Sequence, residues 1–273
     1  MPAQATPQPD PTGAATPEPR EASANTIDPA EVARFDAMAE DWWNPNGPFR
    51  PLHQLNPLRI AYIRDQIAAR LGTAGTGGGG ERMRPLKGLR LLDVGCGGGL
   101  ICEPMARLGA SVVGIDAAAR NIAAAARHAQ AMGLAIDYRH QPVETLATGS
   151  ERFDVILALE ILEHVADGEA FLAACASLLV PGGLLVAATL NRTARSFAYA
   201  IVGAEYLLRW LPRGTHDWRR FIRPHELARS LRGAGLTLET LDGAHYDPLA
   251  GRWSLSRDLG VNYMAIATRP AGA

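Results

Sequence analysis

Two stretches of this 273-residue chain carry residues whose types and spacing could do chemistry. The first is Leu91-Leu-Asp-Val-Gly-Cys-Gly-Gly-Gly99, an apolar run that enters glycine and then a helical pattern. Gly95 and Gly97 permit a tight turn and let a ligand approach the backbone, and the helix behind them presents its first N–H groups to negative charge. The spacing is G-x-G-x-G, with Leu100 where a dinucleotide fingerprint needs its third glycine. Asp93, just before the loop, is placed to reach an amino group or to orient loop amides. Asp116 ends the next apolar run, 21 residues after Gly95. That spacing suits a bidentate grip on ribose hydroxyls; the alternative is a simple cap for the helix starting at 117.

The second stretch follows the apolar run Phe153–Leu159 and holds Glu160, Glu163 and His164. A helical start here would bring spacings of three and four onto a common side. Two carboxylates and an imidazole could then hold a divalent cation, and oxygen-rich coordination favours Mg²⁺ over zinc. Such an ion would acidify a bound phenol and steady its oxyanion. His164 could instead serve as a general base, because imidazole titrates near neutrality. A plain turn, with Glu163 satisfying helix amides, is the third reading.

The elements that must position these groups are legible in the alternation of patterns. Strand signals lie at 89–94, 111–116, 135–140, 153–159, 183–189, 236–241 and 262–268, with helical stretches at 99–108, 117–132, 167–179 and 224–233. This order predicts an α/β fold: a doubly wound, seven-stranded, mostly parallel sheet of Rossmann-like type. No helical signal separates the last two strands, so an antiparallel edge is expected there. Ahead of the sheet, Asp28 and Pro29 open a helix over 28–43 and a second is expected over 57–71, forming an N-terminal helical cover. Residues 1–25 carry six prolines and four charges and are expected to be a disordered tail, without the apolar core of a signal peptide. The glycine run at 72–80 reads as a connector, and the remainder, 26–270, as one domain.

Lys and Arg number 27 against 28 Asp and Glu, a net charge of −1, which gives no electrostatic reason to bind nucleic acid. No stretch reaches the roughly 20 apolar residues of a membrane span. Three cysteines without a C-x-x-C pair argue against a disulfide framework and a structural zinc site, so a cytoplasmic protein is expected.

The loop, Asp93 and Asp116 together resemble the class I S-adenosylmethionine-dependent methyltransferases. Further segments narrow this: Trp42-Trp43, Asn56-Pro-Leu-Arg59, Leu190-Asn-Arg192, Gly203-Ala-Glu-Tyr206, Gly214-Thr-His-Asp217 and Val261-Asn-Tyr-Met264. In this order they are similar to the ubiquinone biosynthesis O-methyltransferase family over about residues 26–268. The resemblance implies methyl transfer from S-adenosyl-L-methionine to a 2-polyprenyl-6-hydroxyphenol and to 3-demethylubiquinone. It implies that Arg59 binds the cofactor carboxylate, that Gly95, Gly97 and Asp116 make the loop and ribose contacts, and that Leu159 lines the adenine pocket. It also implies Mg²⁺ at Glu160, Glu163 and His164, as in some eukaryotic relatives. From the residues alone, Arg59 could equally be a solvated helix residue. One departure is Pro142, which stands where many class I methyltransferases carry an acid for the adenine amino group; adenine would then lean on backbone groups and on Val143 and Leu159. The readings kept beside this one are a methyltransferase of another small phenol or of carbon, and a non-catalytic cofactor-binding subunit of a biosynthetic complex.

A polyprenyl substrate lives in a bilayer, so the enzyme must reach it. Residues 194–214 are rich in aromatic and aliphatic side chains and bear Arg195, Arg209 and Arg213 near their ends. They suit an interfacial helix whose arginines meet anionic headgroups, a lid on the active site, or both. Peripheral contact with the inner membrane and association with other ubiquinone biosynthesis enzymes are the corresponding expectations.

Overall fold

The computed structural model describes residues 26–72, 84–198, 217–247 and 250–272. The expected tail at 1–25, most of the glycine connector and residues 199–214 of the expected lid lie outside the described residues. Helix α1 (Pro29–Ala37) starts where Asp28 accepts a hydrogen bond from Ala30 N at 3.0 Å and Pro29 takes the first helical position. A 3₁₀ turn, Ala39–Asp41, follows. Helix α2 (Arg50–Arg70) begins seven residues earlier than the sequence pattern suggested and carries Pro57 inside it. Pro51 is the proline of its first turn, and the interior Pro57 costs it one backbone hydrogen bond, not its continuity.

Strand β1 (Arg90–Val94), helix α3 (Cys102–Arg107), β2 (Ser111–Asp116), α4 (Ala119–Ala131), β3 (Asp137–His140), α5 (Val143–Ala147), β4 (Phe153–Leu159), α6 (Gly168–Leu178) and β5 (Leu179–Leu190) then alternate. Helix α7 (Pro224–Gly233) precedes β6 (Thr237–Asp247), β7 (Arg252–Ser256) and β8 (Asn262–Thr268). The sheet runs β3-β2-β1-β4-β5-β8-β6-β7. Its first five strands are parallel, and β8 lies antiparallel between β5 and β6. The doubly wound sheet and its antiparallel edge are as expected. The difference is an eighth strand, β7, which pairs with an extended β6 as a hairpin from Gly243↔Ser256 to Asp247↔Arg252. Strand β5 also begins earlier than expected. Its Pro181-Gly182-Gly183 reads as a turn, yet Leu179 pairs with Phe153 on one side of an irregularity and Leu184 with Val155 on the other.

Alternate residues of the strands feed two cores. Leu92, Ile115, Ile156 and Leu185 face α5, α6 and α7. Leu91, Val112, Leu157 and Val186 face the other way, onto Tyr62, Ile63 and Ile67 of α2 and Cys102 and Met105 of α3. Such two-sided burial is what makes parallel strands read as continuous apolar runs. The winding reverses between β1 and β4, and the carboxyl ends of these strands flank the crevice where open α/β sheets bind ligands.

A third apolar cluster, Trp42, Phe49 and Leu100 with Phe35, Met38 and Trp43 around it, fastens the N-terminal cover to the glycine loop. The Trp42 ring stacks on Phe49 at 3.8 Å, and its indole N–H donates to Asn121 of α4 at 2.8 Å. The Trp43 indole N–H donates to Gly98 O at 2.9 Å. A Cβ added at Gly98 would lie 2.3 Å from Trp42 Cβ, and one at Gly97 2.4 Å from the Trp42 ring. Gly98→Ala should therefore cost about 1–3 kcal/mol in urea unfolding. In a Trp42→Gly background, which removes the Cβ as well as the ring, the same change should cost less than about 1 kcal/mol, since the two sites share the contact; equal costs in both backgrounds would remove this account of the loop's glycines.

Candidate functional site

A cavity of about 790 Å³ opens at the carboxyl ends of β1 and β4. Its floor is the glycine loop, its roof is α1 and the start of α2, and β6 and β7 contribute Tyr246 and Trp253 to one wall. Arg59, Asp93, Gly95, Gly97, Asp116, Leu159, Glu160 and His164 all line it, so the sequence places eight of its nine site residues around one space. Glu163 is the exception and points into the sheet.

Gly95 turns at φ +74°, where a side chain would meet Ile161 at 2.8 Å. The loop amides of Gly95 and Cys96 both donate to Ile115 O, at 2.8 and 3.0 Å. Asp116 holds the next turn: its Oδ2 accepts from Gly97 N at 2.9 Å and its Oδ1 from Ala118 N at 2.7 Å. The carboxylate that orients a loop amide is thus Asp116, which also caps the approach to α4; Asp93 plays no such part. Asn121, one turn into α4, adds a 3.3 Å hydrogen bond to Asp116 while accepting from Trp42. Burial pushes the Asp116 carboxyl up, against the pull of these donors.

Asp93 is 4% exposed and accepts from the Cys102 thiol at 3.2 Å. Burial, with the charge of Asp116 added, raises it to about 7 despite that hydrogen bond. Burial likewise raises Cys96 to about 11 and drives Tyr138, beside Gly99, further up. The floor of the cavity is therefore a desolvated acidic patch that ionises at a cost.

Arg59 is buried, at 4% exposure, and pairs with Glu160, which sets aside its reading as a solvated helix residue. Glu160 sits in the left-handed region at φ 52°, alone among the described non-glycine residues, a conformation that costs about 1 kcal/mol or more. It aims the carboxylate at α2 from the end of β4. Glu163, 3% exposed, accepts from the Thr189 hydroxyl of β5 at 2.8 Å, and its other oxygen is buried without a partner. Burial first, and then the neighbouring Glu160 charge, hold it well above the usual carboxylate range.

His164 turns the opposite way. Its Nδ1 meets Glu31 of α1 at 2.7 Å, and its ring packs edge-on to Phe35 at 5.1 Å. The expected magnesium set is not brought together in this structure. After β4 the chain makes a bend and turns at 160–165, not the helical start that would stack i, i+3 and i+4. Glu160, Glu163 and His164 are sent to Arg59, Thr189 and Glu31 respectively. Among the described residues no three His, Cys, Asp or Glu side chains come together to hold a metal. As these side chains are arranged, they do not make a donor set for Mg²⁺.

Glu31, Asn121 and the Tyr246–Trp253 pair were not marked by sequence pattern. Glu31 lies in what reads as the first acidic turn of an ordinary helix, and β7 is too short a run to announce itself. Arg195, expected to meet headgroups, is in an exposed pair with Asp258 at 2.8 Å.

Solved structures with this fold share little sequence with the chain. Magnesium protoporphyrin IX methyltransferase from Synechocystis PCC 6803 superposes with a TM-score of 0.56 at 18% identity, over 81% of this chain and 85% of that one. The fold is that of the class I methyltransferases, and a family model described as a methyltransferase domain matches residues 52–241. Curated relatives carry the rest. Ubiquinone biosynthesis O-methyltransferase of Chelativorans sp. (strain BNC1) is 55% identical over 240 residues, 88% of this chain and 93% of that protein. Its counterpart in Cereibacter sphaeroides (strain ATCC 17025) is 57% identical over 242 residues, 88% and 96% of the two. The chain belongs to the ubiquinone biosynthesis O-methyltransferase family, whose methyl donor is S-adenosylmethionine.

The raised Asp93 gives the site a pH signature. An acid whose folded pKa exceeds its unfolded one stabilises the fold while protonated, and that contribution is lost as pH rises from the unfolded value through the folded one. Between about pH 4 and pH 7, ligand-free wild type should lose stability relative to Asp93→Asn, with no further change above. Paired urea titrations across that range check it, and a constant difference would show that Asp93 ionises freely in the fold.

Proposed function

We propose that the chain methylates phenolic hydroxyls of polyprenylated rings, a 2-polyprenyl-6-hydroxyphenol and 3-demethylubiquinone, using His164 as the base. The observation that carries this is His164 on the wall of a cavity whose floor is the glycine loop and the acids Asp93 and Asp116. The cavity suits the donor: Arg59 for its carboxylate, Asp116 for the ribose, Asp93 for its ammonium group, and Leu159 and Val143 for the adenine faces. Bound there, S-adenosylmethionine supplies an electrophilic methyl group on a sulfonium.

Transfer to oxygen is an in-line displacement, so the protein's work is to align the phenol and remove its proton. The imidazole Nε2 of His164 takes the phenolic proton as the oxygen attacks, a step of the kind worth roughly 10²–10⁴-fold. The aromatic wall of Tyr246 and Trp253, 5.2 Å apart between ring centres, gives a ring-shaped substrate a flat surface. With methyl-labelled donor and a short-chain demethylubiquinone analogue, label should appear on the ring oxygen, and His164→Ala should lose about 10²-fold or more in kcat. Label on carbon alone would favour the other methyltransferase reading, and binding without turnover the non-catalytic one.

Access to the bilayer is assigned to the segment after β5. Among the described residues no helix is long and apolar enough to cross a membrane. Phe197, 45% exposed, is the last large apolar side chain described before the aromatic-rich stretch at 199–216. Changing Phe197, Ile201 and Leu208 to serine should reduce co-sedimentation with anionic liposomes about 5-fold or more and leave cofactor affinity unchanged. Undiminished sedimentation of the folded variant would sink the membrane contact.

A further inference from the structure

The base and the group that orients it come from different parts of the fold. His164 follows β4, in the sheet, and Glu31 belongs to α1, in the N-terminal cover, 133 residues away. The Glu31 carboxylate reaches His164 Nδ1 at 2.7 Å and is steadied from its own helix by Arg34. Phe35, one turn further along α1, closes the edge of the imidazole at 5.1 Å. Both Glu31 and His164 line the cavity, and the contact between them uses Nδ1, which leaves Nε2 as the ring nitrogen for a substrate.

We propose that Glu31 is a positioning residue for this reaction: it accepts the Nδ1 proton of His164, so that the Nε2 lone pair is presented to the phenol. The proposal rests on His164 being the base. A carboxylate can accept from Nδ1 only if that nitrogen carries hydrogen, and in a neutral ring the other nitrogen is then the acceptor. When Nε2 takes the phenolic proton, the Glu31 charge faces the imidazolium so formed, as in other acid–histidine pairs. No covalent bond involves Glu31; the proton moves from phenol oxygen to Nε2 and leaves to solvent after the methyl has moved from sulfur to oxygen.

The placement has a consequence for the order of events. Glu31 reaches His164 only because α1 is docked, and several contacts hold it. Ala166 N donates to Thr26 O at 2.7 Å, Asp28 pairs with Arg220 at 2.7 Å, and Asp36 accepts from Arg120 N at 2.9 Å. The same cover presses Trp42 on the glycine loop. Closure of the donor site and orientation of the base are one docking event, so the base is set only when the cover is seated.

Two substitutions in the full-length enzyme test this. Glu31→Ala should lower kcat roughly 10- to 100-fold, within the range of general-base catalysis, while the KM for the phenol and the Kd for the donor change less than about 2-fold. Glu31→Gln, whose amide oxygen also accepts from Nδ1, should recover most of that loss. In ¹⁵N spectra at alkaline pH, where the ring is neutral, His164 should be the Nδ1–H tautomer in wild type and in Glu31→Gln, and mixed in Glu31→Ala. Unchanged kcat in Glu31→Ala, or a loss shared with donor affinity and not restored by glutamine, would overturn the positioning role. His164→Ala with wild-type turnover would instead remove the base itself, a separate failure read from a separate variant.

Discussion

The structure depends on how closely the Trp42 indole can approach the backbone of Gly97 and Gly98. No side chain larger than hydrogen fits at either position beneath that ring. Because the indole sits there, with its N–H on Asn121, the N-terminal cover is clamped to the cofactor loop and to the first turn of α4 together. From that clamp the cover runs back to Glu31 beside His164 and forward into α2, which carries Arg59 to Glu160. Two of the cavity's charged contacts therefore span from cover to sheet, one on each side of the indole in sequence.

The loop's glycines consequently serve two demands that a sequence motif does not separate. Gly95, at φ +74° and against Ile161, is glycine because of the turn itself. Gly97, at φ +53°, answers both the turn and the indole above it, and Gly98 is glycine because another part of the chain lies on it. The first demand belongs to any strand–glycine–helix phosphate or nucleoside site; the second belongs to this cover. Asp116 joins the two, holding the Gly97 amide with one oxygen and the start of α4 with the other.

Much of this was legible in the chain. The parallel sheet follows from apolar runs alternating with helical patterns, and helix α7 and strands β2, β4 and β8 fall where Pro224, Asp116, Leu159 and Asn262 suggested. The site's floor was legible for the same reason: glycine turns and strand-end acids are local features. What could not be read was anything set by contact between distant segments. Glu160, Glu163 and His164 look like a convergent trio in sequence, but their directions are decided by Arg59, Thr189 and Glu31, each far along the chain. A left-handed Glu160 carries no signature that distinguishes it from a helical one. Strand β7 exists because β6 is long enough to pair with it beyond Gly243, and Pro57 sits inside α2 because Ile63 and Ile67 bury that helix against the sheet. In each case tertiary packing overrides the local preference.

The acids of the cavity floor complete the physical picture. Asp93 and Asp116 are both raised by burial; among the described residues only His140 pulls Asp116 back by its charge, and burial outweighs it. Arg59, the buried cation of the same cavity, is paired with Glu160. A floor of desolvated carboxyls without a matching protein charge is unfavourable for the empty enzyme and favourable for a ligand that brings positive charge with it. S-adenosylmethionine carries that charge twice, on its ammonium and its sulfonium, and loses the second when the methyl leaves. With the donor placed as proposed above, the attraction is weaker for the product, so the same buried acids favour release of what remains after transfer.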